Sequence, residues 1–231
     1  DRQLGAGAEL GRPVLISTAK GCPFVDASFT YLPGTDASND LCREYVAGTV
    51  SWLEVSPPGL VIMASSDEYW TDPSYAAGLT GATETTDASS KLGVLAAGLG
   101  ATASTLQESG HDVLMVQTVP HFRPPYGYDP EACSLSTLLS DSCWQQMPLS
   151  AYVENQGGSS VALAEAAAST GSTVLDLSPR LCPAESCATR VDDRVAYADQ
   201  AHISVPESER LIPELREAIE ASAAGGTAPV G

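Results

Sequence analysis

Four short apolar runs most constrain what this chain can fold into: residues 13–18 (PVLIST), 60–65 (LVIMAS), 112–119 (DVLMVQTV) and 173–177 (TVLDL). They are nearly continuous in Val, Ile and Leu, the pattern of strands covered on both faces of a parallel sheet. Between them lie helical stripes. Leu41, Tyr45, Val46, Val50 and Leu53 form one, Leu92, Leu95, Leu99, Ala103 and Leu106 a second, and the alanine-rich residues 161–168 a third. This alternation of strand and helix predicts a doubly wound α/β fold with right-handed crossovers. A chain of 231 residues is expected to form one domain over residues 1–222, with 223–231 as a tail.

Local signals refine the end of the chain. Ser204 can cap a helix, Pro206 suits its first turn, and Glu207 completes a Ser-x-x-Glu capping box. Pro213 is expected to kink or restart that helix. The polar segments 71–90 and 121–158 are long for connectors, and as loops beyond strand ends they are expected to carry specificity.

Twenty-nine acidic residues against 11 basic ones give a net charge of −18. Such a surface repels phosphate backbones, so nucleic acid is excluded as a partner. No apolar run approaches the roughly 18 residues of a membrane span. The six cysteines fall in sequential pairs, Cys22 and Cys42, Cys133 and Cys143, Cys182 and Cys187, each bracketing a segment rich in Pro, Ser, Asp or Gly. Three sequential disulfides bracing loops in an oxidising compartment are the expectation, although six cysteines admit many connectivities. No C-x-x-C spacing points to zinc, and no metal or cofactor is expected.

One constellation suits catalysis. Asp199 stands three residues before His202, between a short apolar run and a helix start. A carboxylate so placed can accept from one ring nitrogen and leave the other to take a proton, the base half of a nucleophilic hydrolase or acyltransferase site. The alternative is a polar capping loop. His121 follows Pro120 at the end of the third run and is a substrate-binding candidate, whereas His111 reads as a turn residue. Trp70, Tyr69, Phe122, Tyr126, Tyr128 and Trp144 lie in the long segments, to stack on sugars or acyl chains or to pack those loops together. Asp192-Asp193 reads as a solvated turn.

Lys20-Gly21-Cys22-Pro23, Ala64-Ser65-Ser66-Asp67 followed by Tyr69-Trp70, the Leu181-Cys182 to Cys187 pair, and Tyr197-x-Asp199-x-x-His202-Ile203-Ser204 occur in that order. Together they resemble the SGNH/GDSL hydrolase superfamily, and more closely the extracytoplasmic SGNH domain fused to membrane-bound acyltransferase family three proteins. The resemblance implies a flavodoxin-like three-layer α/β sandwich with a central parallel sheet and disulfide-braced loops. It makes His202 the general base, Asp199 its orienting partner, and Gly21 a backbone donor to an oxyanion. Ser66 stands where many members have an oxyanion-hole asparagine, with Ser65 beside it, and Trp70 and His121 are carried as substrate-binding residues.

The implied activity is transfer of an acetyl or other acyl group to a hydroxyl of a cell-envelope glycan or glycolipid. The donor would be delivered by a membrane-embedded acyltransferase domain to which this extracytoplasmic domain is tethered. A secreted carbohydrate esterase or lipase and a non-catalytic glycan-binding domain are the alternatives. Besides Ser66 in place of that asparagine, the sequence departs from the family in a larger respect: it contains no Gly-Asp-Ser element, whose serine is the family's nucleophile. Residues 1–10 fit the end of the first helix, so the first strand and its serine are expected upstream or on a separate piece.

Overall fold

A computed structural model describes residues 13–134, 136, 137 and 143–223. In chain order the elements are β1 (Ser28–Tyr31), α1 (Asp36–Glu54), β2 (Leu60–Ala64), α2 (Glu68–Thr71), β3 (Tyr75–Gly78), α3 (Ala88–Glu108) and β4 (Asp112–Val116). After a long connection follow β5 (Gln146–Pro148), α4 (Leu149–Thr170), β6 (Thr173–Leu175), α5 (Ser178–Leu181) and β7 (Ser186–Ala188). A hairpin of β8 (Arg190–Val191) and β9 (Arg194–Val195) precedes helices α6 (Val205–Arg210) and α7 (Ile212–Ala223). No described helix is long and apolar enough to cross a membrane.

Three of the four apolar runs form the expected parallel sheet, in the order β2-β4-β6. Leu60 to Ala64 register with Asp112 to Val116, and Leu114 to Val116 with Thr173 to Leu175. Residues 13–18 do not become a strand. They run without a ladder partner among the described residues, and Leu15 is 71% exposed. Apolar composition makes a strand only where a neighbouring edge takes its N–H and C=O groups.

The described residues divide into two compact units, those of 15–118, 158–175 and 217–223 in one, and those of 13–14, 119–157 and 176–216 in the other. The first contains the parallel sheet. Met63, Val113 and Met115 pack with Leu95, Leu99, Ala103 and Leu106 of α3 and with Ala162, Ala166 and Ala167 of α4. Each large apolar side chain so buried contributes about 1.5–3 kcal/mol. The polar segment 71–90 holds β3, which pairs antiparallel with β1, and Phe29 stacks on Tyr75 with ring centroids 5.1 Å apart. The Cys22–Cys42 disulfide also lies here.

Two glycines set close approaches in this unit. A Cβ on Gly158 would stand 2.6 Å from Leu92 Cδ1, and one on Gly98 would stand 2.5 Å from Val25 Cγ2. Helix α4 starts at Leu149, well before the alanine-rich stretch. The Gly157-Gly158-Ser159-Ser160 segment has weak helix propensity, and packing overrides it.

The other unit has its own core of Phe122, Tyr128, Met147, Tyr152, Leu181, Tyr197 and Leu211, joined by Cys143, Cys182 and Cys187. Disulfides Cys133–Cys143 and Cys182–Cys187 brace it, so all three sequential pairs form and no cysteine is free. Asp192 and Asp193 make the two-residue turn of the β8–β9 hairpin with φ of 46° and 62°, and they pair with Arg194 and Arg190. The helix start at Ser204 is half a capping box. Ser204 Oγ accepts Glu207 N–H, but the Ser204 N–H donates to Ala196, leaving the Glu207 carboxylate to Arg210. The break falls at Leu211, and Pro213 lies in the first turn of α7.

Candidate catalytic loop

Residues 198–202 form a tight loop closed by the Ala198 N–H donating to the His202 carbonyl at 2.7 Å, next to an antiparallel bridge between Tyr197 and Ile203. Asp199 shapes the loop from inside: its Oδ1 accepts the N–H groups of Ala201 and His202, each at 2.8 Å. A short carboxylate closing a turn over the next residues is behaviour expected of Asp. The same carboxylate meets the imidazole, with His202 Nδ1 at 2.8 Å from Oδ2 and 3.0 Å from Oδ1. Both separations are within hydrogen-bond reach.

Partial burial pushes the Asp199 carboxyl upward, but the hydrogen bonds from Ala201 and from the ring and N–H of His202 outweigh it. The group is held below the usual carboxylate value. An ionised Asp199 fixes the proton of neutral His202 on Nδ1 and leaves Nε2 with its lone pair. The His202 side chain is 78% exposed and that of Asp199 49%, so Nε2 can be reached from solvent.

The loop is anchored on both flanks. Before it, Ala196 and Tyr197 are completely buried; after it, the Ser204 N–H donates to Ala196 and its hydroxyl to the Val195 carbonyl at 2.6 Å. The Phe122 N–H donates to the Gln200 carbonyl at 2.7 Å. No sequence signal marks this last tie, because it is a main-chain contact between distant segments.

His121 lies next to that anchor and is buried. Its N–H donates to Gln156 Oε1 at 2.6 Å, and its Nδ1 lies 3.0 Å from Arg123 Nη2. A guanidinium only donates, so Nδ1 accepts and the ring proton sits on Nε2. Sequence reasoning did not foresee Arg123 or Gln156 as its neighbours.

In the unit with the parallel sheet, Gly21 adopts a left-handed φ of 75° in the turn after residues 13–18. The Ser65 carbonyl accepts from Thr118 Oγ1 at 2.8 Å, and Ser66 Oγ accepts the Glu68 N–H at 3.3 Å, a turn at the end of β2. Trp70 is only 1% exposed and packs with Phe29 in the core, so its indole offers no open face. His111 is buried, with Nε2 2.8 Å from the Leu53 carbonyl and Nδ1 beside Gly59, joining the end of α1 to the start of β2. Among the described residues no three His, Cys, Asp or Glu side chains gather as a metal site.

This α/β fold is that of the SGNH proteins. A candidate SGNH hydrolase from Slackia heliotrinireducens superposes with a TM-score of 0.56 at 12% identity, covering 93% of this chain and 89% of that one. The periplasmic domain of a lipopolysaccharide acetyltransferase from Salmonella ser. Paratyphi A gives a TM-score of 0.52 at 15% identity, covering 92% and 75%. Among curated proteins none matches the chain in sequence. The family model for the SGNH domain fused to AT3 domains matches residues 4–217, and the chain belongs to that family.

Proposed function

We propose that the chain is the acyl-transferring domain of an O-acyltransferase on the extracytoplasmic side of a membrane, acting with a partner AT3 domain that delivers the acyl donor. The observation that carries this reading is the two-point contact of the Asp199 carboxylate with His202 Nδ1. In this mechanism a serine hydroxyl attacks the acyl carbonyl and gives its proton to His202 Nε2, which returns it to the leaving group. A glycan or glycolipid hydroxyl is then deprotonated by His202, attacks the acyl-serine, and leaves as the ester while the serine is regenerated. Gly21 N–H and Ser66 are the proposed donors to the oxyanion, with Ser65 beside Ser66; the buried Trp70 and His121 are given no contact with substrate. The nucleophilic serine is that of a Gly-Asp-Ser element, which the 231 residues do not contain.

The exposure of His202 favours one second reading, an esterase in which water is the acceptor. The test uses the full-length gene product that includes these residues. His202→Ala is expected to lower acyl transfer by about 10³-fold or more with an unchanged circular dichroism spectrum. Wild-type turnover in that variant would end the catalytic reading. Product analysis with water and saccharide in competition separates esterase from transferase.

A further inference from the structure

Beside the β5–β7 and β8–β9 pairs lies a cleft of about 660 Å³, walled by Trp144, Gln145, Gln146, Arg190, Asp192 and Asp193. Covalent ties stiffen it. Trp144 follows Cys143, which is bonded to Cys133, and β7 carries Cys187, which is bonded to Cys182. Gln146 is paired with Ala188 and Met147 with Cys187. Thr189 is completely buried; its hydroxyl accepts the Gln145 N–H at 3.0 Å and its carbonyl accepts the Ala196 N–H at 2.8 Å. Ala196 stands three residues before Asp199, so the cleft wall and the candidate catalytic loop share one hydrogen-bonded ladder.

The lining suits a sugar. The Arg190 guanidinium lies 5.4 Å from the Trp144 ring centroid and donates to Asp193 Oδ1 at 2.9 Å, forming a flat, braced surface of the kind that packs on a pyranose ring. The side-chain amides of Gln145 and Gln146 have no hydrogen-bond partner among the described residues. Such amides match the mixed donor and acceptor character of hydroxyls. Polar walls of both charge signs do not favour an acyl chain. A net charge of −18 disfavours a polyanion.

We infer that this cleft is a saccharide subsite that binds a neutral glycan and presents its hydroxyl to the Asp199–His202 loop. Its acceptor role rests on the acyltransferase reading; sugar binding itself does not.

Isothermal titration of the protein with maltotetraose and with tetra-N-acetylchitotetraose tests the subsite, with tetragalacturonate as the anionic comparison. At least one neutral saccharide is expected to bind with a Kd between about 10 μM and a few mM. Gln146→Ala and Arg190→Ala, each with an unchanged melting temperature, should weaken binding by about tenfold or more. Gln146 is exposed and its side chain makes no hydrogen bond among the described residues, so its variant decides the matter if Arg190→Ala unfolds. His202→Ala should bind with the wild-type Kd, and sugar binding in a protein without ester turnover would keep the subsite while removing the catalytic reading. No saturable heat with either neutral sugar, binding of tetragalacturonate alone, or an unchanged Kd in Gln146→Ala would overturn the proposal.

Discussion

The Phe122 main-chain N–H donates to the Gln200 carbonyl at 2.7 Å, while the Phe122 ring meets Tyr197 edge to face at 4.9 Å between centroids. One residue thus holds the candidate catalytic loop by its backbone and supports the floor beneath it by its side chain. Both rings are completely buried. Gln156 secures the same segment from α4 by accepting the His121 N–H and donating to the Val119 carbonyl. The exposed imidazole of His202 therefore stands on a rigid base.

Phe122→Ala would remove a buried aromatic ring from that base. A loss of about 3–5 kcal/mol is expected, read as a lower urea midpoint with a wild-type slope. Phe122→Leu fills part of the volume and should recover part of the loss. Equal stability of Phe122→Ala and wild type would show that the ring does not carry the loop's floor.

Asp199→Asn separates the two tasks of the carboxylate. The amide oxygen can still accept the Ala201 and His202 N–H groups, so the loop should keep its shape. The lost charge removes the stabilisation of a protonated His202, and turnover in the full-length protein should fall by about 10³–10⁴-fold. The Asp199 pKa is held low, so its contribution to stability is complete above the ordinary carboxylate pKa and is lost as pH falls through the lowered value. The stability gap between Asp199→Asn and wild type should accordingly close only in acid. A variant with wild-type turnover would refute the orienting role.

Lys91 is a buried lysine satisfied entirely by main chain. Its Nζ donates to the carbonyls of Tyr69, Asp72 and Tyr75 at 3.4, 2.6 and 3.0 Å. These three acceptors hold the turn between α2 and β3. Lys91→Met keeps the length of the side chain and strands the carbonyls, so a loss of about 2–4 kcal/mol is expected by denaturation. A neutral effect would mean that the turn holds itself.

The parallel sheet was legible because Leu60–Ala64, Asp112–Val116 and Thr173–Leu175 are self-contained apolar runs whose neighbours are also strands. Residues 13–18 have the same composition but no ladder, and strand formation depends on a partner that composition does not encode. β1 and β3 escaped notice because SFTY and YAAG are short and gain their stability from Phe29, Tyr31 and Tyr75 packing across the pair. Asp199 and His202 could be read from spacing because the loop that joins them is local. Arg123 beside His121 and Gln200 against Phe122 depend on tertiary contacts, which leave no mark in a window of sequence.

The start of α3 supplies a prediction in pH. Asp87 caps this helix by accepting the Ser90 N–H at 2.8 Å and the hydroxyls of Ser89 and Ser90 at 2.7 Å each. The hydrogen bonds from Ser89 and Ser90, aided by the charge of Lys91, push its pKa from 3.8 down to about 2. A carboxyl that is more acidic when folded stabilises the fold fully above its unfolded pKa and loses that contribution as pH falls through the folded value. The stability difference between wild type and Asp87→Ala should therefore be constant from neutrality down to about pH 4 and shrink between about pH 4 and 2. Comparing the two proteins at each pH cancels the other 28 carboxylates, which titrate in both. Urea midpoints measured across that range provide the check, and a difference that stays the same down to pH 2 would show that the ionised form of Asp87 is not what caps the helix.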